Sequence, residues 1–539
     1  MEFDYVIIGA GSAGCVLANR LSADPAIRLA LIEAGGRDGS FAVRMPIGYG
    51  KLAFSPGYSW HYQSAPEPSL GGRRILLPRG KGLGGSSLIN GLLYIRGHRA
   101  DYDEWEQLGA TRWGWSTVLP YFLKSEGHCD GFSTWHGGDG PLKVARIGER
   151  DSSNDAVVDA FEAIGTPRID DFNCAEPWGA GYYQATIFRG ERCSAAVAFL
   201  RQAERRSNLR IFTHSTVSKL TFSGRRVLGV QATRDDGSHF AVDARREVLL
   251  CAGVYHSPQL LQASGVGPAG FLREHGIPVL VDAPGVGANL QDHWVVPVGF
   301  KLRPSAFSYN QELTGWRVLR NALRYLVSRR GPMTIPAAQT GAFVKSDPGL
   351  LRPDLQFHCL PATGDLAAAA RGEKIRLSPH PGLTLAPCQL RPHSRGHVRL
   401  AARDTREPPS IMHGYLAAEQ DQQVCLQGMH IARRLAATGP LANLIEVETD
   451  PGSGARSDQD LLAFARSFGS TGYHPVGTCR MGSDPQSVVD CELRVRGIEG
   501  LRVADASVMP RLISGNTNAA CIMIGERAAD FLLQAAREA

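Results

Sequence analysis

The stretch DYVIIGAGSAG at residues 4–14 decides the fold class of this 539-residue chain. It reads as a buried strand that runs through a glycine turn into a helix, and the next predicted strand ends in Glu33. In such a unit Gly9 forms the tight turn, Gly11 lets the main chain approach a pyrophosphate, and Gly14 lets helix and strand pack closely. Amides at the helix N-terminus face the phosphates, and Glu33 can accept hydrogen bonds from ribose hydroxyls. The stretch therefore predicts a dinucleotide-binding βαβ unit.

The composition is that of a large globular protein. Apolar residues make up 43% and charged residues 20% of the chain, which excludes disordered and fibrous proteins. The formal net charge of +6 is small for this length and the basic residues are scattered, so we expect no nucleic-acid partner. No signal-peptide pattern precedes the first strand, and no apolar run reaches the length of a membrane span. We therefore expect a cytoplasmic protein without an integral membrane segment, and peripheral membrane contact stays open.

The cysteines give a prediction about metals and disulfides. There are eleven of them, an odd number, and they form no CxxC pair. Both features argue against a zinc site and against a disulfide framework. We expect reduced core or loop residues and no bound metal.

A second glycine-rich stretch, PRGKGLGGSSLING at residues 78–91, comes too late to belong to the first βαβ unit. Its closely spaced glycines have no side chains, so the main chain can pass directly against a flat ring or a diphosphate. Ser86, Ser87 and Asn90 can then hydrogen-bond the same group. A flexible surface loop is the alternative.

The rest of the chain is predicted to form two further parts. Helices are expected over residues 101–125, and short strands with hairpin turns over 209–252. From about residue 293 to 465, proline-rich strands and amphipathic helices without a glycine fingerprint indicate a second domain. Residues 500–506 are predicted to form a buried strand that ends in an acidic residue, and an amphipathic helix follows.

Two polar clusters near the end of the sequence are candidates for chemistry. His474 lies in the loop GYHPVGTCRMG at 472–482, where the following proline fixes the main chain, as a positioned catalytic group needs. The alternative is a histidine with a purely structural role, whose ring nitrogens are hydrogen-bonded to a neighbouring group. The stretch SGNTN at 514–518 directly precedes the last helix, so it can cap that helix, stabilise a negative charge there, or do both. His413 and His430 do not lie in a comparable motif, and we expect them to be ordinary core or surface residues.

Together these segments resemble the glucose-methanol-choline (GMC) family of flavin oxidoreductases, from residue 4 to the end of the sequence. The motifs that carry the resemblance are GAGSAG (9–14) with Glu33, GKGLGGSSLIN (80–90), GVYHSPQLLQASGVG (253–267), GVGANLQDH (285–293), HPVGTCRMG (474–482), and VADASVMP (503–510) followed by SGNTNA (514–519). The stretches DFN (171–173), RCSAAVAFLR (192–201) and PDLQFH (353–358) are similar to the bacterial choline-dehydrogenase-like and sorbose-dehydrogenase-like branch.

The resemblance implies an α/β fold in which a discontinuous, Rossmann-like FAD-binding domain is joined to a substrate-binding domain built on an antiparallel sheet with helices. The FAD-binding domain would comprise residues 1–150, 195–292 and 485–539, and the substrate domain residues 151–194 and 293–484. The catalytic histidine loop would lie at the end of the substrate domain. FAD is expected to bind non-covalently, because Ile89 stands where some members carry a histidine that bonds to the flavin.

The resemblance also implies which residues bind FAD. The first glycine turn would hold the pyrophosphate, Glu33 the adenosine ribose, and the second glycine loop would wrap the flavin. Val217 would meet the adenine with its main chain. Asp505 and Ala506 would lie against the ribityl chain and the pyrophosphate, and Asn518 would lie near the pyrimidine edge. The expected cofactor-binding residues are Gly9, Gly11, Ser12, Gly14, Glu33, Gly84, Gly85, Ser86, Asn90, Gly91, Val217, Asp505, Ala506 and Asn518.

By the same resemblance His474 and Asn516 are the catalytic residues. An alcohol gives up a hydride readily only as its oxygen loses its proton. His474 would take that proton, Asn516 would donate to the same oxygen, and the hydride would pass to flavin N5, which yields an aldehyde or ketone. The expected substrate is a sugar, an alditol or another primary or secondary alcohol. A quinone, another acceptor or oxygen would reoxidise the flavin.

Three alternatives stay open. The chain could be an FAD-dependent lyase of the hydroxynitrile-lyase or decarboxylase kind, an oxidase that uses oxygen, or a flavin-carrying binding protein without turnover. A binding protein would be expected to lose His474 or Asn516. Because both are present, the sequence favours the oxidoreductase, and the resemblance favours a dehydrogenase.

Overall fold

A computed structural model describes residues 1–373 and 376–538 of the chain. Its strands and helices are numbered below in chain order. Two large β-sheets, one of seven and one of eight strands, form its centre.

The first sheet is built around the strand that opens the sequence. Its strands are β1 (Glu2–Ile8), β2 (Leu29–Ile32), β11 (Leu209–Phe212), β12 (Ser215–Ser223), β13 (Arg226–Arg234), β14 (His239–Leu250) and β26 (Leu501–Val503). The parallel part has the order β11-β2-β1-β14-β26. Strands β12 and β13 extend it in an antiparallel arrangement along the first half of β14. This is the doubly wound parallel arrangement that the first glycine turn predicts.

The central strands are apolar because both of their faces are covered. Every residue of β1 except Glu2 is buried, and all four residues of β2 are buried, as expected for parallel strands with helices on their faces. Helix α1 (Ser12–Leu21) covers part of the sheet and packs on the last helix, α16 (Asn518–Glu538). Gly525 permits this contact, since a Cβ there would lie 2.9 Å from the Cα of Ala13.

The second sheet is antiparallel. Its strands are β7 (Gly179–Tyr182), β17 (Trp294–Val295), β18 (Val298–Leu302), β19 (Thr340–Val344), β20 (Leu355–Leu360), β21 (Gly382–Gln389), β24 (Ile445–Asp450) and β25 (Ser470–Thr471). The order is β24-β18-β21-β20-β19-β7, and β17 pairs with both β21 and β25. All but β7 lie between residues 293 and 484, and β7 lies in the earlier segment 151–194.

Smaller elements surround the two sheets. The short strands are β3 (Ser59–Gln63), β4 (Leu76–Gly80), β5 (Glu126–His128), β6 (Leu142–Arg146), β8 (Gln184–Ala185), β9 (Ile187–Phe188), β10 (Glu191–Arg192), β15 (Val266–Gly267), β16 (Val281–Asp282), β22 (His397–Arg399) and β23 (Ser410–Met412). The other α-helices are α2 (Phe41–Arg44), α3 (Tyr49–Leu52), α4 (Arg99–Gln107), α5 (Trp115–Ser125), α6 (Ser152–Ala163), α7 (Arg201–Ala203), α8 (Gly253–Ala263), α9 (Ala269–Glu274), α10 (Tyr309–Glu312), α11 (Gly315–Ser328), α12 (Leu366–Ala370), α13 (Glu419–Ala436), α14 (Gly439–Leu444) and α15 (Asp458–Phe468).

The fold predicted from the sequence is confirmed. The chain combines a Rossmann-like sheet with an antiparallel second sheet and helices, and the helices expected over 101–125 are α4 and α5. The domain boundaries given above stay a prediction. All eleven cysteines lie in the described part of the chain and are free thiols. Within residues 1–373 and 376–538, no helix combines the length and the apolar character that a bilayer crossing needs.

Candidate active site

A cavity of about 950 Å³ is lined by residues of both sheets. Its wall includes Ile8 of β1 and Ile32 of β2 on one side, and His358 of β20 and Thr384 of β21 on the other. This volume is at the upper end of the range for sites that bind small molecules. The cavity can therefore hold an extended ligand.

Most residues that the sequence predicted for cofactor binding lie in the cavity wall. These are Gly9, Gly11, Ser12, Glu33, Gly85, Ser86, Asn90, Gly91, Val217, Asp505, Ala506 and Asn518. The other two support them. Gly14 packs against Gly9, and the amide of Gly84 donates a hydrogen bond of 2.8 Å to the carbonyl of Ala10.

The glycines of the first turn are required for different reasons. Gly9 has φ of +97° and a Cβ there would lie 2.5 Å from the carbonyl oxygen of Cys251. A Cβ at Gly14 would lie 2.0 Å from the carbonyl oxygen of Gly9. At Gly11, in contrast, the nearest protein atom would be 3.9 Å away. Packing within the protein thus requires glycine at positions 9 and 14, whereas a side chain at position 11 would enter the cavity.

Glu33 joins the two glycine loops. Its Oε2 accepts from the amide of Ala10 at 2.9 Å, and its Oε1 accepts from the amides of Gly35 at 2.9 Å and Gly82 at 3.0 Å. Burial raises the pKa of the Glu33 carboxyl, and the three amide donors oppose that rise. A carboxylate has about four acceptor positions, so one stays available for a hydroxyl in the cavity.

The second glycine loop is part of the protein interior. Residues 82–85 are buried, and a Cβ at Gly85 would lie 2.7 Å from the Cα of Gly11. The alternative of a flexible surface loop is therefore wrong. Buried Arg192 holds the loop from behind, because its guanidinium donates to Ser87 O at 3.1 Å, Asn90 O at 2.9 Å and Asn90 Oδ1 at 2.6 Å. Burial lowers the pKa of Arg192 to about 9.

Residues near the end of the sequence close the same wall. Asp505 Oδ2 accepts from the amide of Gly253 at 2.8 Å and from the hydroxyl of Ser257 at 2.6 Å. The hydroxyl of Ser12 donates to Asn518 Oδ1 at 2.6 Å. Helices α1 and α16 therefore begin side by side at the cavity, and both present N-terminal amides there, which favours a negatively charged group.

His474 and Asn516 lie together in the cavity wall. Nδ2 of Asn516 is 3.0 Å from Nε2 of His474, and Asn516 Oδ1 accepts from Nε2 of Gln356 at 3.3 Å. The side chain of Asn516 is thus turned toward the histidine. The sequence left helix capping by residues 514–518 as an alternative, and for Asn516 these contacts point to the histidine instead.

A second histidine determines which nitrogen of His474 carries the hydrogen. Nδ1 of His293 lies 3.0 Å from Nδ1 of His474, and Nε2 of His293 lies 3.0 Å from the carbonyl oxygen of Leu390. A carbonyl only accepts, so Nε2 of His293 carries the hydrogen and its Nδ1 accepts. His474 therefore carries its hydrogen on Nδ1. The lone pair of His474 therefore lies on Nε2, which accepts a hydrogen bond from Nδ2 of Asn516 at 3.0 Å.

The surroundings keep both histidines neutral. Burial lowers the pKa of His293 to about 3. Burial, His293, His358 and Arg79 together lower the pKa of His474 well below its usual value. A neutral imidazole with its lone pair on Nε2 can accept a proton from a hydroxyl group.

Asp292 fixes the main chain of the histidine pair. Its Oδ1 accepts from the amide of His293 at 2.9 Å and from the amide of His474 at 2.8 Å. Its Oδ2 accepts from the hydroxyls of Tyr415 and Thr471, both at 2.5 Å. Tyr473, directly before His474, has φ of +63°, an uncommon value for a residue with a side chain. The hydrogen bonds of Asp292 thus hold the His474 loop in an uncommon main-chain conformation.

The charges in the described part of the cavity wall are mostly positive. The cations are Lys51, Arg73 and Arg79, and the only carboxylates are Glu33 and Asp505. Both carboxylates accept main-chain amides. Arg79 lies at the His474 loop, where its Nη2 donates to Tyr473 O at 2.9 Å. Lys81 lies 4.5 Å from the ring centre of Trp60, an aromatic residue of the wall.

Sequence reasoning missed four residues that support the site: Arg192, Asp292, His293 and Gln356. Asp292 and His293 end the motif GVGANLQDH, and two adjacent polar residues after a glycine-rich turn were a signal for a role. Gln356 lies in the quoted stretch PDLQFH, but its hydrogen-bond partner Asn516 is 160 positions away in the sequence. His413 is a buried core residue, as expected.

Two family models of GMC oxidoreductases match the chain, one over residues 3–295 and one over residues 392–525. An alcohol dehydrogenase [acceptor] of Pseudomonas putida is 42% identical over 546 residues, which cover 99% of this chain and 96% of the relative. An oxygen-dependent choline dehydrogenase of Cronobacter sakazakii is 41% identical over 538 residues, which cover 98% of this chain and 95% of the relative.

Solved structures are also similar. A pyridoxine 4-oxidase from Mesorbium loti has a TM-score of 0.88 and is 30% identical, with 99% of each chain covered. A formate oxidase has a TM-score of 0.93 and is 27% identical, with 100% of this chain and 99% of that chain covered.

Proposed function

The chain belongs to the GMC oxidoreductase family, and we propose that His474 is the base with which it oxidises an uncharged, largely apolar alcohol. Family membership makes it an FAD-dependent enzyme that acts on CH–OH groups. The observation that carries the proposal is the pair of His474 Nε2 and Asn516 Nδ2, 3.0 Å apart in the cavity wall.

The cavity fits FAD. A methyl group at Gly11 would enter the cavity and meet no protein atom within 3.9 Å, as expected where a pyrophosphate approaches the main chain. Glu33 keeps one acceptor position for a ribose hydroxyl. Ile89 lies in the wall and has no nucleophilic atom, which agrees with non-covalent binding. When bound, FAD supplies the atom that accepts hydride.

The residues of the chain handle the proton. His474 Nε2 takes the proton of a hydroxyl group within hydrogen-bond reach. Asn516 Nδ2 donates to the same oxygen and orients it, while Gln356 keeps the amide of Asn516 turned that way. The imidazolium that forms is stabilised by His293, whose Nδ1 accepts from His474 Nδ1. The positive charge of Arg79 near the loop favours the developing alkoxide.

The charge of the cavity supports an uncharged substrate. A quaternary ammonium group such as that of choline binds best to free carboxylates and open aromatic faces. Among the described residues of the wall, the two carboxylates are already hydrogen-bonded to main-chain amides, and the cations Lys51, Arg73 and Arg79 would repel such a group. Apolar side chains such as Phe54 and Leu360 make up much of the rest of the wall.

Anaerobic reduction of the flavin by a panel of alcohols tests this function. We expect straight-chain primary alcohols and benzyl alcohol to bleach the enzyme-bound flavin, and choline and sorbitol to do so far more slowly. Choline as the fastest reductant would contradict the substrate class. An alcohol or cyanohydrin converted without any flavin bleaching would indicate a lyase.

The acceptor is proposed to be a quinone or another organic acceptor, which makes the protein a dehydrogenase. The name of the Pseudomonas putida relative, alcohol dehydrogenase [acceptor], supports this proposal. Rapid reoxidation in air with hydrogen peroxide formed in step with product would contradict it. A cytoplasmic location and the absence of a metal stay predictions of the sequence.

Replacing Glu33 with Gln should weaken FAD binding roughly fivefold to tenfold, because the amide nitrogen of Gln cannot accept and the ribose hydroxyl would lose a hydrogen bond of about 1 kcal/mol. The retained flavin should still be reduced by the same alcohols. Flavin fluorescence released during dialysis gives the affinity. An unchanged affinity would contradict a role of Glu33 in binding the ribose of FAD.

A further inference from the structure

Helix α11 exposes a continuous apolar face. Its exposed side chains include Trp316, Leu319, Leu323, Leu326 and Val327, which are 67%, 73%, 63%, 57% and 79% accessible to solvent. At 3.6 residues per turn these five lie within an arc of about 100°. We call them the α11 apolar face. The opposite side of the helix holds it on the protein through buried Asn321 and Tyr325. Exposed apolar clusters of this kind mark interaction sites.

Arginines border the α11 apolar face. The helix contains Arg317, Arg320 and Arg324 and no acidic residue, and Arg329 and Arg330 follow it. Three glutamates near the helix pair with four of these side chains: Glu312 with Arg317 and Arg320, Glu149 with Arg324, and Glu191 with Arg329. Five cations against three carboxylates leave an excess of two positive charges beside the apolar face.

The buried side of the helix contacts a neighbouring segment. Phe41 of α2 is 40% exposed, and its ring centre lies 5.9 Å from that of Tyr325. Arg329 lies over both rings, with its Cζ 5.8 Å from the centre of Phe41 and 4.9 Å from that of Tyr325. Leu313 and Ile335, on either side of the helix in the sequence, line the cavity.

We propose that the α11 apolar face docks on the surface of an anionic phospholipid bilayer, with the helix parallel to the membrane plane. A basic helix with one apolar face buries that face among the acyl chains while its arginines meet the lipid phosphates. A second copy of this chain is a poorer occupant, because a symmetric contact would bring two arginine borders together. A bilayer offers acyl chains to the apolar side chains and phosphates to the arginines in the same contact.

Vesicle flotation of the FAD-loaded enzyme tests the proposal. We expect wild type to float with vesicles of phosphatidylcholine and phosphatidylglycerol, to float much less with phosphatidylcholine alone, and to be released by salt. The double variant Leu319→Ser/Leu323→Ser should bind the anionic vesicles at least roughly tenfold more weakly, because two large apolar side chains are lost. The control Leu351→Ser removes a leucine that is 98% exposed elsewhere, and it should bind as wild type does.

Two further measurements make the result decisive. Flavin content and melting temperature should be the same in wild type and in both variants, which shows that they fold. The proposal is overturned if wild type ignores anionic vesicles, or if the double variant binds them as tightly as wild type. It is also overturned if wild type is a dimer in size-exclusion chromatography that the double variant splits without any vesicle binding, since a second copy then covers the face.

Discussion

His474→Ala should retain FAD but reduce its flavin with an alcohol roughly a hundredfold to ten-thousandfold more slowly than wild type, the usual contribution of a positioned general base. The reason lies in the assigned tautomer. Nδ1 of His474 is committed to His293, 3.0 Å away, so Nε2 is the nitrogen that takes the hydroxyl proton. Anaerobic stopped-flow absorbance of the flavin measures this step without reoxidation. A variant as fast as wild type would exclude His474 as the base.

Two companion variants separate the base from its supports. Asn516→Ala should slow the same step less, because it removes a donor that orients the hydroxyl and leaves the base in place. His293→Ala should also slow it less, because His474 keeps its imidazole but loses the acceptor that fixes the hydrogen on Nδ1. If either variant were slower than His474→Ala, the assignment of roles would be reversed.

The pH dependence of this step follows from the lowered pKa of His474. Only the neutral imidazole accepts a proton, so the rate rises with pH through that pKa and is constant above it. Because the folded enzyme holds the pKa below the usual histidine value, the rate should be constant between about pH 6.5 and 9 and fall only in more acidic solution. An inflection at neutral or higher pH would contradict this.

Gly11→Ala and Gly14→Ala should lose FAD by two different routes. The Cβ at position 11 has no protein atom within 3.9 Å, so the variant should fold normally, yet its methyl group would lie where the pyrophosphate approaches. We expect FAD binding to weaken roughly fivefold to 150-fold, for an overpacking cost of about 1–3 kcal/mol. The Cβ at position 14 would lie 2.0 Å from Gly9 O, so this variant should be unstable even without FAD.

Melting of the FAD-free proteins distinguishes the two routes. The Gly11→Ala apoprotein should melt as the wild-type apoprotein does, and the Gly14→Ala apoprotein should melt at a lower temperature or fail to accumulate. Titration of each apoprotein with FAD then gives the affinity. A Gly11→Ala variant with normal FAD affinity would show that the cofactor does not approach the main chain there.

The cofactor side of the site could be predicted from the sequence because its determinants are local. Gly9, Gly11 and Gly14 lie within six consecutive residues, and each is required by the shape of one turn. Glu33 follows at the end of the next strand, where the βαβ unit places it. The second glycine loop was also visible, but its contact with Gly11 was not, because it depends on the packing of two distant segments.

The catalytic side could be predicted only in part. His474 and Asn516 stood out through their motifs, but His293 is 181 positions from His474, and Gln356 is 160 positions from Asn516. Only the folded chain shows that these side chains meet and which nitrogen of His474 carries the lone pair. The amphipathic pattern of α11 is visible in the sequence, but such a pattern does not show whether the apolar face is covered.

The strand order of the first sheet has a consequence for the biogenesis of the enzyme. Strand β1 (Glu2–Ile8) pairs with β14 (His239–Leu250), which pairs with β26 (Leu501–Val503). At ribosomal rates of roughly 5–20 residues per second, β26 emerges about 25–100 s after β1. During that interval the apolar strand β1 lacks part of its sheet, and α1 lacks its packing partner α16. The first sheet, and the part of the cavity wall that Asp505 and Asn518 line, can therefore be completed only near the end of synthesis.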